Sequence, residues 1–320
     1  MRICLVKTSS MGDVIHALPA LTDAQKAFPD LQVDWVVEEN FAEIPTWHSA
    51  VNQVIPIAIR RWSKQLWQGK TWQEWRAYRQ LLQQNQYDAV IDAQGLVKSA
   101  LFAARLAKGE KYGYDKHCAR EPLAAWFYDH RFSIDYHQHA VERIRQLFAL
   151  TLGYPVPQTQ GDYGIAHHFS QSFSRQKISP PYLVFIHATT RADKHWRNEE
   201  WKKLARETTA LGFAVHLPWG NKKEKQSAEW IAQGIENAVV LPKLSLTELA
   251  QHIANAQAVV SVDTGLAHLT AALDKPNITL YGTTNPDLIG TYGKNQFHLQ
   301  AATMAQISAE AVLQRLRPLL

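Results

Sequence analysis

Only two of the 320 residues are cysteine, Cys4 and Cys118. They form no CxxC pair and no framework of bridges, which fits a reducing compartment. Cys4 lies inside the first apolar run and reads as core. No uncharged apolar run approaches the roughly 20 residues of a membrane span. The N-terminal stretch, Met1-Arg-Ile-Cys-Leu-Val-Lys7, lacks the apolar core of a secretory signal, so a cytoplasmic protein is expected. Dedicated chemical motifs are missing too. There is no GxGxxG and no GxxxxGK[ST], which removes the dinucleotide fingerprint and the P-loop. No HExxH, Cys/His cluster or GxSxG occurs. No Asp-x-Asp occurs, which weighs against a metal-bridged diphosphate. His167-His168 and the set His130, His137 and His139 have no metal-ligand spacing and read as surface or core.

What is present is a chain with 46% hydrophobic and 20% charged residues, enough for a large core and too long for one typical domain. Its net charge of +5 suits an anionic partner: a nucleotide, a nucleic acid or an acidic membrane surface. Short apolar runs alternate with helical patterns throughout. Strands are predicted at Arg2–Lys7, Val33–Val37, Val54–Ile57, Ala89–Asp92 and Lys111–Tyr114, with helices near Val14–Ala27, Gln73–Gln84, Val97–Ala107 and His139–Leu152. The pattern breaks in the Pro- and Gln-rich stretch between Gly153 and Pro181, a domain boundary. A second series follows, with strands at Leu183–His187, Ala214–Leu217, Ala238–Leu241, Ala258–Val262 and Ile278–Tyr281. Helices are predicted between them, and a last one over Ile307–Arg317. The simplest architecture is α/β, two doubly wound halves with a cleft between them.

Ligands in such sheets bind beyond the carboxyl ends of the strands, so the loops there carry the argument. Ala258-Val-Val-Ser-Val262 is a buried strand that turns through Asp263, Thr264 and Gly265 into a helix bearing His268. A helix start offers unpaired N–H groups and a positive dipole end, a site for phosphate. Asp263 also fits a plain helix cap. The first strand ends in Lys7-Thr-Ser-Ser-Met-Gly-Asp13, where Ser10 and Asp13 are helix caps or, for Asp13, an unpaired general base. After the fourth strand, Gln94 and Gly95 either line the cleft or cap the next helix. In His187-Ala-Thr-Thr-Arg-Ala-Asp-Lys194, Thr189 and Thr190 supply hydroxyls, and Lys194 can offset charge on a leaving phosphate. Glu224, below the Gly220 turn, suits ribose hydroxyls or the helix dipole. Leu241-Pro-Lys-Leu-Ser245 leaves backbone groups for a base edge.

The segment Arg60–Arg79 holds four of the eleven Trp residues and six Lys/Arg. Such a mixture suits a membrane interface, a phosphorylated lipid or single-stranded nucleic acid. Trp72, Trp75 and Tyr78, at helical spacing, are expected in the core. Arg60, Arg61 and Lys64 are expected to meet an anionic substrate.

Five stretches together carry a resemblance: Val6–Asp13, Asp92–Ser99, His187–Arg191, Ser261–His268 and Tyr292-Gly-Lys-Asn295. Over its whole length the chain resembles the lipopolysaccharide heptosyltransferases of glycosyltransferase family 9, in particular those that add the first heptose. The resemblance implies a GT-B fold, two Rossmann-like domains facing each other across a cleft. Residues 1–165 would bind the acceptor and 166–320 the donor, and the last helix, about 307–317, would pack back on the first domain. It implies inverting transfer of L-glycero-D-manno-heptose from ADP-heptose to the first Kdo of Kdo2-lipid A. No metal or other cofactor is needed, and the site of action is the cytoplasmic face of the inner membrane. Asp13 matches the general base. Lys194, Thr189, Thr190, Asp263, Thr264, Gly265 and His268 match the diphosphate and heptose side, Glu224 the ribose, and Leu244 the adenine. Ser10, Arg60, Arg61, Lys64, Gln94, Arg120 and His139 match the acceptor side. The partners implied are ADP-heptose, Kdo2-lipid A and an anionic membrane face. Nucleic acid is not among them, because the charge follows no recognisable motif. A transferase for the second heptose and a non-catalytic ADP-heptose sensor are the competing readings. Three departures show. Lys194-His-Trp-Arg197 stands where relatives often have Lys-x-Trp-Pro, and Tyr281-Gly-Thr-Thr284 where they often have Tyr-Gly-Pro-Thr. Ser63 interrupts a stretch that tends to be more basic.

Overall fold

The computed structural model describes residues 1–170 and 180–320, so Lys177-Ile-Ser179 of the boundary stretch lies outside the described residues. The chain forms two compact units, Met1–Gly164 and Ile165–Leu320. In the first, six strands form one parallel sheet: β1 (Arg2–Val6), β2 (Gln32–Glu38), β3 (Val51–Ile57), β4 (Ala89–Asp92), β5 (Lys111–Tyr114) and β6 (His130–Phe132). Ile3 to Val6 and Val90 to Ile91 are wholly buried, as a strand covered by helices on both faces requires. The order is β3-β2-β1-β4-β5-β6. The chain winds outward one way from β1 and then the other way from β4, so the loops after these two strands diverge and open a crevice at their carboxyl ends.

The second unit repeats this plan with β7 (Tyr182–Ile186), β8 (Ala214–Leu217), β9 (Ala238–Val240), β10 (Ala258–Val262), β11 (Asn277–Tyr281) and β12 (Gln296–Gln300). Its order is β12-β11-β10-β7-β8-β9, which puts the reversal between β7 and β10.

Both strands that went unread, β6 and β12, are sheet edges. His130-Arg-Phe132 is mostly exposed, and Gln296–Gln300 is nowhere fully buried, so neither carries an apolar run. The helix expected over Val14–Ala27 is two helices, Met11–Ile15 and Leu18–Ala27. Pro19 stands in the first turn of the second, where its missing N–H is tolerated. The last helix, Ala309–Leu316, packs within the second unit. Val312, Leu313 and Leu316 lie in the core of the second unit with Trp196 and Trp201. Trp196 Nε1 donates to the Ile307 carbonyl at 2.9 Å, and Glu200 Oε2 accepts from the Ala309 amide at 2.7 Å, tying the helix to the start of the helix Asn198–Ala210.

One packed pair makes this unit sensitive to acid. His216 Nδ1 and His252 Nε2 are 2.8 Å apart, and both rings stack on Tyr182, whose hydroxyl donates to the His252 carbonyl at 2.7 Å. One proton serves the two facing nitrogens; a second would set two N–H donors against each other. Burial, then His216, hold His252 down to about 4. Unfolded, it would take a proton near pH 6.5, so stability is full above that pH and falls as pH drops towards 4. Chemical denaturation from pH 7 to pH 4 should show a loss on the order of 2 kcal/mol from this pair after allowing for partial exposure. His252→Gln should flatten the profile in that window.

Candidate active site

At the first reversal, β1 leads through Lys7–Ser10 into the helix Met11–Ile15, and β4 leads through Ala93–Leu96 into the helix Val97–Phe102. Gln94 joins the two loops: its Oε1 accepts from the Thr8 amide at 3.0 Å and the Ser9 amide at 3.2 Å. Lys7 Nζ donates to the Ala93 carbonyl at 2.8 Å, and burial lowers the pKa of its ammonium. Beneath them Asp92 accepts from the Gln94 and Gly95 amides (2.9 and 3.2 Å) and from the hydroxyls of Ser99 and Tyr128 (both 2.9 Å). Burial pushes its carboxyl up against these donors, so it is a scaffold. Gly95 has φ +67°, and a Cβ there would stand 3.3 Å from the Arg120 amide and 3.5 Å from the Tyr114 ring.

Asp13 takes the capping place that its position in the turn offers. Its Oδ2 accepts from the Ser10 amide at 2.8 Å and the Ser10 hydroxyl at 3.1 Å, with Arg120 Nη1 at 3.9 Å. Its side chain is still 31% exposed. The carboxylate is therefore both aimed and accessible, as a proton acceptor must be. The His16 and His139 rings meet edge to face with centroids 5.5 Å apart. His139 also caps the helix Ala140–Leu152 by accepting from the Val141 amide at 3.2 Å.

At the second reversal the loop after β7 is fastened to the turn after β10. Thr189 Oγ1 donates to the Asp263 carbonyl at 3.2 Å, and Lys194 Nζ donates to Asp263 Oδ2 at 2.5 Å. Both side chains of this pair are largely buried, at 16% and 8% exposure. Thr264 is the extended N-cap of the helix Gly265–Ala272, and its side chain caps no amide, so the positive end of that helix stands beside Lys194 and Asp263. His187 Nε2 donates to the Glu224 carbonyl at 3.1 Å, and burial holds its ring neutral. Glu224 accepts from the Gly220 amide (2.7 Å) and Asn221 Nδ2 (2.6 Å), while Asn221 Oδ1 caps the helix Lys222–Ala232. Trp219 Nε1 donates to the Leu241 carbonyl at 2.7 Å, joining this turn to the one that carries half-buried Leu244.

Two departures have visible partners. Thr283 Oγ1 donates to Asp193 at 3.4 Å, and Arg197 pairs with Glu200 at 3.2 Å. Proline could make neither contact.

One expected site residue is otherwise engaged. Arg61 is committed to Glu39 (Nε and Nη2, both 2.9 Å) and Glu74 (Nη1, 2.8 Å), so it is a structural cation rather than a free anion ligand. Exposed Arg60 and Lys64 follow β3, two strands from β1. His268 is buried at 6% exposure, and Thr190 is exposed. Trp75 is half-buried and Tyr78 buried, but Trp72, expected in the core, is 53% exposed. Lys7 and Arg143 were not singled out from the sequence. Lys7 carries its charge directly after a buried strand, which is the one local sign of it. Arg143 lies one turn beyond His139, its guanidinium 4.3 Å from the Tyr136 ring, with Nε buried and no hydrogen-bond partner among the described residues. No group of three or more His, Cys, Asp or Glu able to hold a metal occurs among the described residues.

The model of glycosyltransferase family 9 (heptosyltransferase) matches residues 75–315. Lipopolysaccharide heptosyltransferase 1 of Salmonella typhimurium strain LT2 is 58% identical over 92% of this chain and 93% of that protein. The structure of E. coli heptosyltransferase WaaC with ADP superposes with a TM-score of 0.96 at 54% identity, covering 100% of both chains. The same enzyme with ADP-2-deoxy-2-fluoro heptose gives 0.93 at 54% identity over 99% of both. With two doubly wound α/β units of the GT-B type, a matched family model over most of its length and such relatives, the chain belongs to glycosyltransferase family 9, the heptosyltransferases.

Proposed function

We infer that the protein transfers L-glycero-D-manno-heptose from ADP-heptose to the first Kdo of Kdo2-lipid A, with inversion at the anomeric carbon. The observation that carries this is end-to-end likeness, at 54% identity, to an enzyme solved with ADP and with a fluorinated ADP-heptose. The Kdo hydroxyl oxygen attacks the anomeric carbon as the bond from that carbon to the diphosphate oxygen breaks. The hydroxyl proton passes to Asp13, whose orientation by Ser10 leaves it open to solvent. ADP leaves carrying the electron pair. Its developing charge meets Lys194, which has two further N–H donors beyond the one given to Asp263, and the positive end of the helix Gly265–Ala272. Thr189, Thr190, Thr264, Gly265 and His268 complete the diphosphate and sugar side, Glu224 takes the ribose, and the Leu244 backbone takes the adenine. Arg120, His139, Gln94 and Ser10 hold the acidic acceptor sugar, with Arg60 and Lys64 further along it.

This charge compensation comes from the chain's own groups, so no metal is needed. Turnover should be unchanged by excess chelator, and proton NMR of the product should give the anomeric configuration opposite to the donor's. A chelator that abolishes turnover, or a retained configuration, would overturn this reading. The acceptor is lipid-borne, so the place of action is the cytoplasmic face of the inner membrane. No helix among the described residues is long and apolar enough to cross a membrane.

A further inference from the structure

Trp67 is 95% exposed, and its neighbours Leu66 and Trp72 are 50% and 53% exposed. Single exposed apolar residues are ordinary; three large ones on one loop and the first turn of the helix after it are not. The loop is also held in shape. Trp72 Nε1 donates to the Leu66 carbonyl at 3.0 Å, Thr71 Oγ1 donates to the Gln65 carbonyl at 2.9 Å, and the Gln68 amide donates to the Gln65 carbonyl at 3.1 Å. Residues 65–68 are thereby pinned to the first turns of the helix Gly69–Leu82, and the Trp67 indole projects from a fixed base.

Charge gathers around it. Residues 60–79 carry six Lys/Arg against one carboxylate, Glu74, a surplus equal to the whole chain's net charge of +5. Glu74 is turned inward, accepting from Trp62 Nε1 at 2.7 Å and pairing with Arg61 at 2.8 Å. Trp72, Arg76 and Arg79 follow one another at helical spacing, and all are exposed. Lys64 and Lys70, also exposed, flank the loop on either side. Apolar side chains with amphipathic indoles inside a cationic ring match the boundary between headgroups and acyl chains of an anionic bilayer. They match a soluble phosphate poorly, because that would not cover Trp67.

We propose that Leu66, Trp67 and Trp72 form a wedge that enters an anionic lipid surface, with Lys70, Arg76 and Arg79 on the lipid phosphates. The proposal rests on the reading of a lipid-borne acceptor, which gives the wedge its purpose. It is tested on the full chain by cosedimentation with vesicles of phosphatidylglycerol and phosphatidylethanolamine that contain no acceptor. The wild type should bind these vesicles, with affinity falling as salt rises, and should bind phosphatidylcholine vesicles weakly. Leu66→Ser/Trp67→Ser should weaken binding by on the order of tenfold or more. Lys70→Gln/Arg76→Gln should weaken it by about tenfold and reduce the salt dependence. Turnover of Leu66→Ser/Trp67→Ser on delipidated Kdo2 acceptor should match the wild type. Unchanged vesicle binding in the wedge variant, or no binding by the wild type, would overturn the proposal. So would lost turnover on the delipidated acceptor, which would make the loop an acceptor subsite. A wild-type dimer that the wedge variant turns into monomer would make the face a contact between copies. Vesicle binding with no turnover of any Kdo acceptor would spare the wedge and overturn only the assigned reaction.

Discussion

Asp13→Asn should lower turnover by about 10²- to 10⁴-fold while leaving ADP-heptose affinity within about twofold. Asparagine is the informative replacement because its carbonyl can still accept from the Ser10 amide, now at 2.8 Å, so the turn after β1 keeps its shape. Asp13→Ala removes both functions. It should lose turnover to a similar extent and also cost about 1 kcal/mol of stability, the usual effect of losing a cap. Single-turnover kinetics with saturating donor, beside calorimetric titration of ADP-heptose, separate chemistry from binding. An Asp13→Asn enzyme within tenfold of wild type would remove the proton from the role given to this residue and reduce Asp13 to a cap.

The second large effect is expected at Lys194. Lys194→Ala should lower turnover by on the order of 10²- to 10³-fold, since it removes a cation from the place where diphosphate charge develops. It should also destabilise the fold by on the order of 2 kcal/mol, because Asp263 is then left ionised and largely buried without its partner. The two losses are separable. In Lys194→Ala/Asp263→Asn no orphaned charge remains, so most of the stability should return while turnover stays low. Thermal unfolding and initial rates on the same preparations check this. If the double variant recovered turnover along with stability, the lysine would be acting only as the aspartate's counter-ion.

These two residues also show what a linear sequence reveals. The Ser10–Asp13 arrangement spans three positions, and both residues are visible as a polar turn at a strand end; only the geometry that makes one carboxylate both a cap and an accessible acceptor was missing. Lys194 and Asp263 were each legible as loop groups, but the bond between them spans 69 positions and depends on β7 lying beside β10. Arg61 misleads for the same reason. As one of a run of cations it reads as free to meet an anion, and its partner Glu39 lies 22 residues upstream, directly after β2. The strands followed the same rule. β1, β4, β7 and β10 are buried on both faces and announce themselves as apolar runs, whereas the edges β6 and β12 need no such run. Trp72 sat at core spacing, yet its helix has too few apolar positions to bury every aromatic, and that one was left outside.

The central claim is a choice of acceptor, and one assay bears on it most directly: ADP release from ADP-heptose with delipidated Kdo2 acceptor, beside the same acceptor already carrying one heptose. ADP should appear in step with heptosylated product, should require the Kdo2 acceptor, and should be at least about 100-fold slower with the heptosylated one, the scale expected when a site's polar partners no longer meet the substrate they hold. Donor binding without acceptor-dependent ADP release, or faster turnover of the acceptor that already carries heptose, would contradict the account.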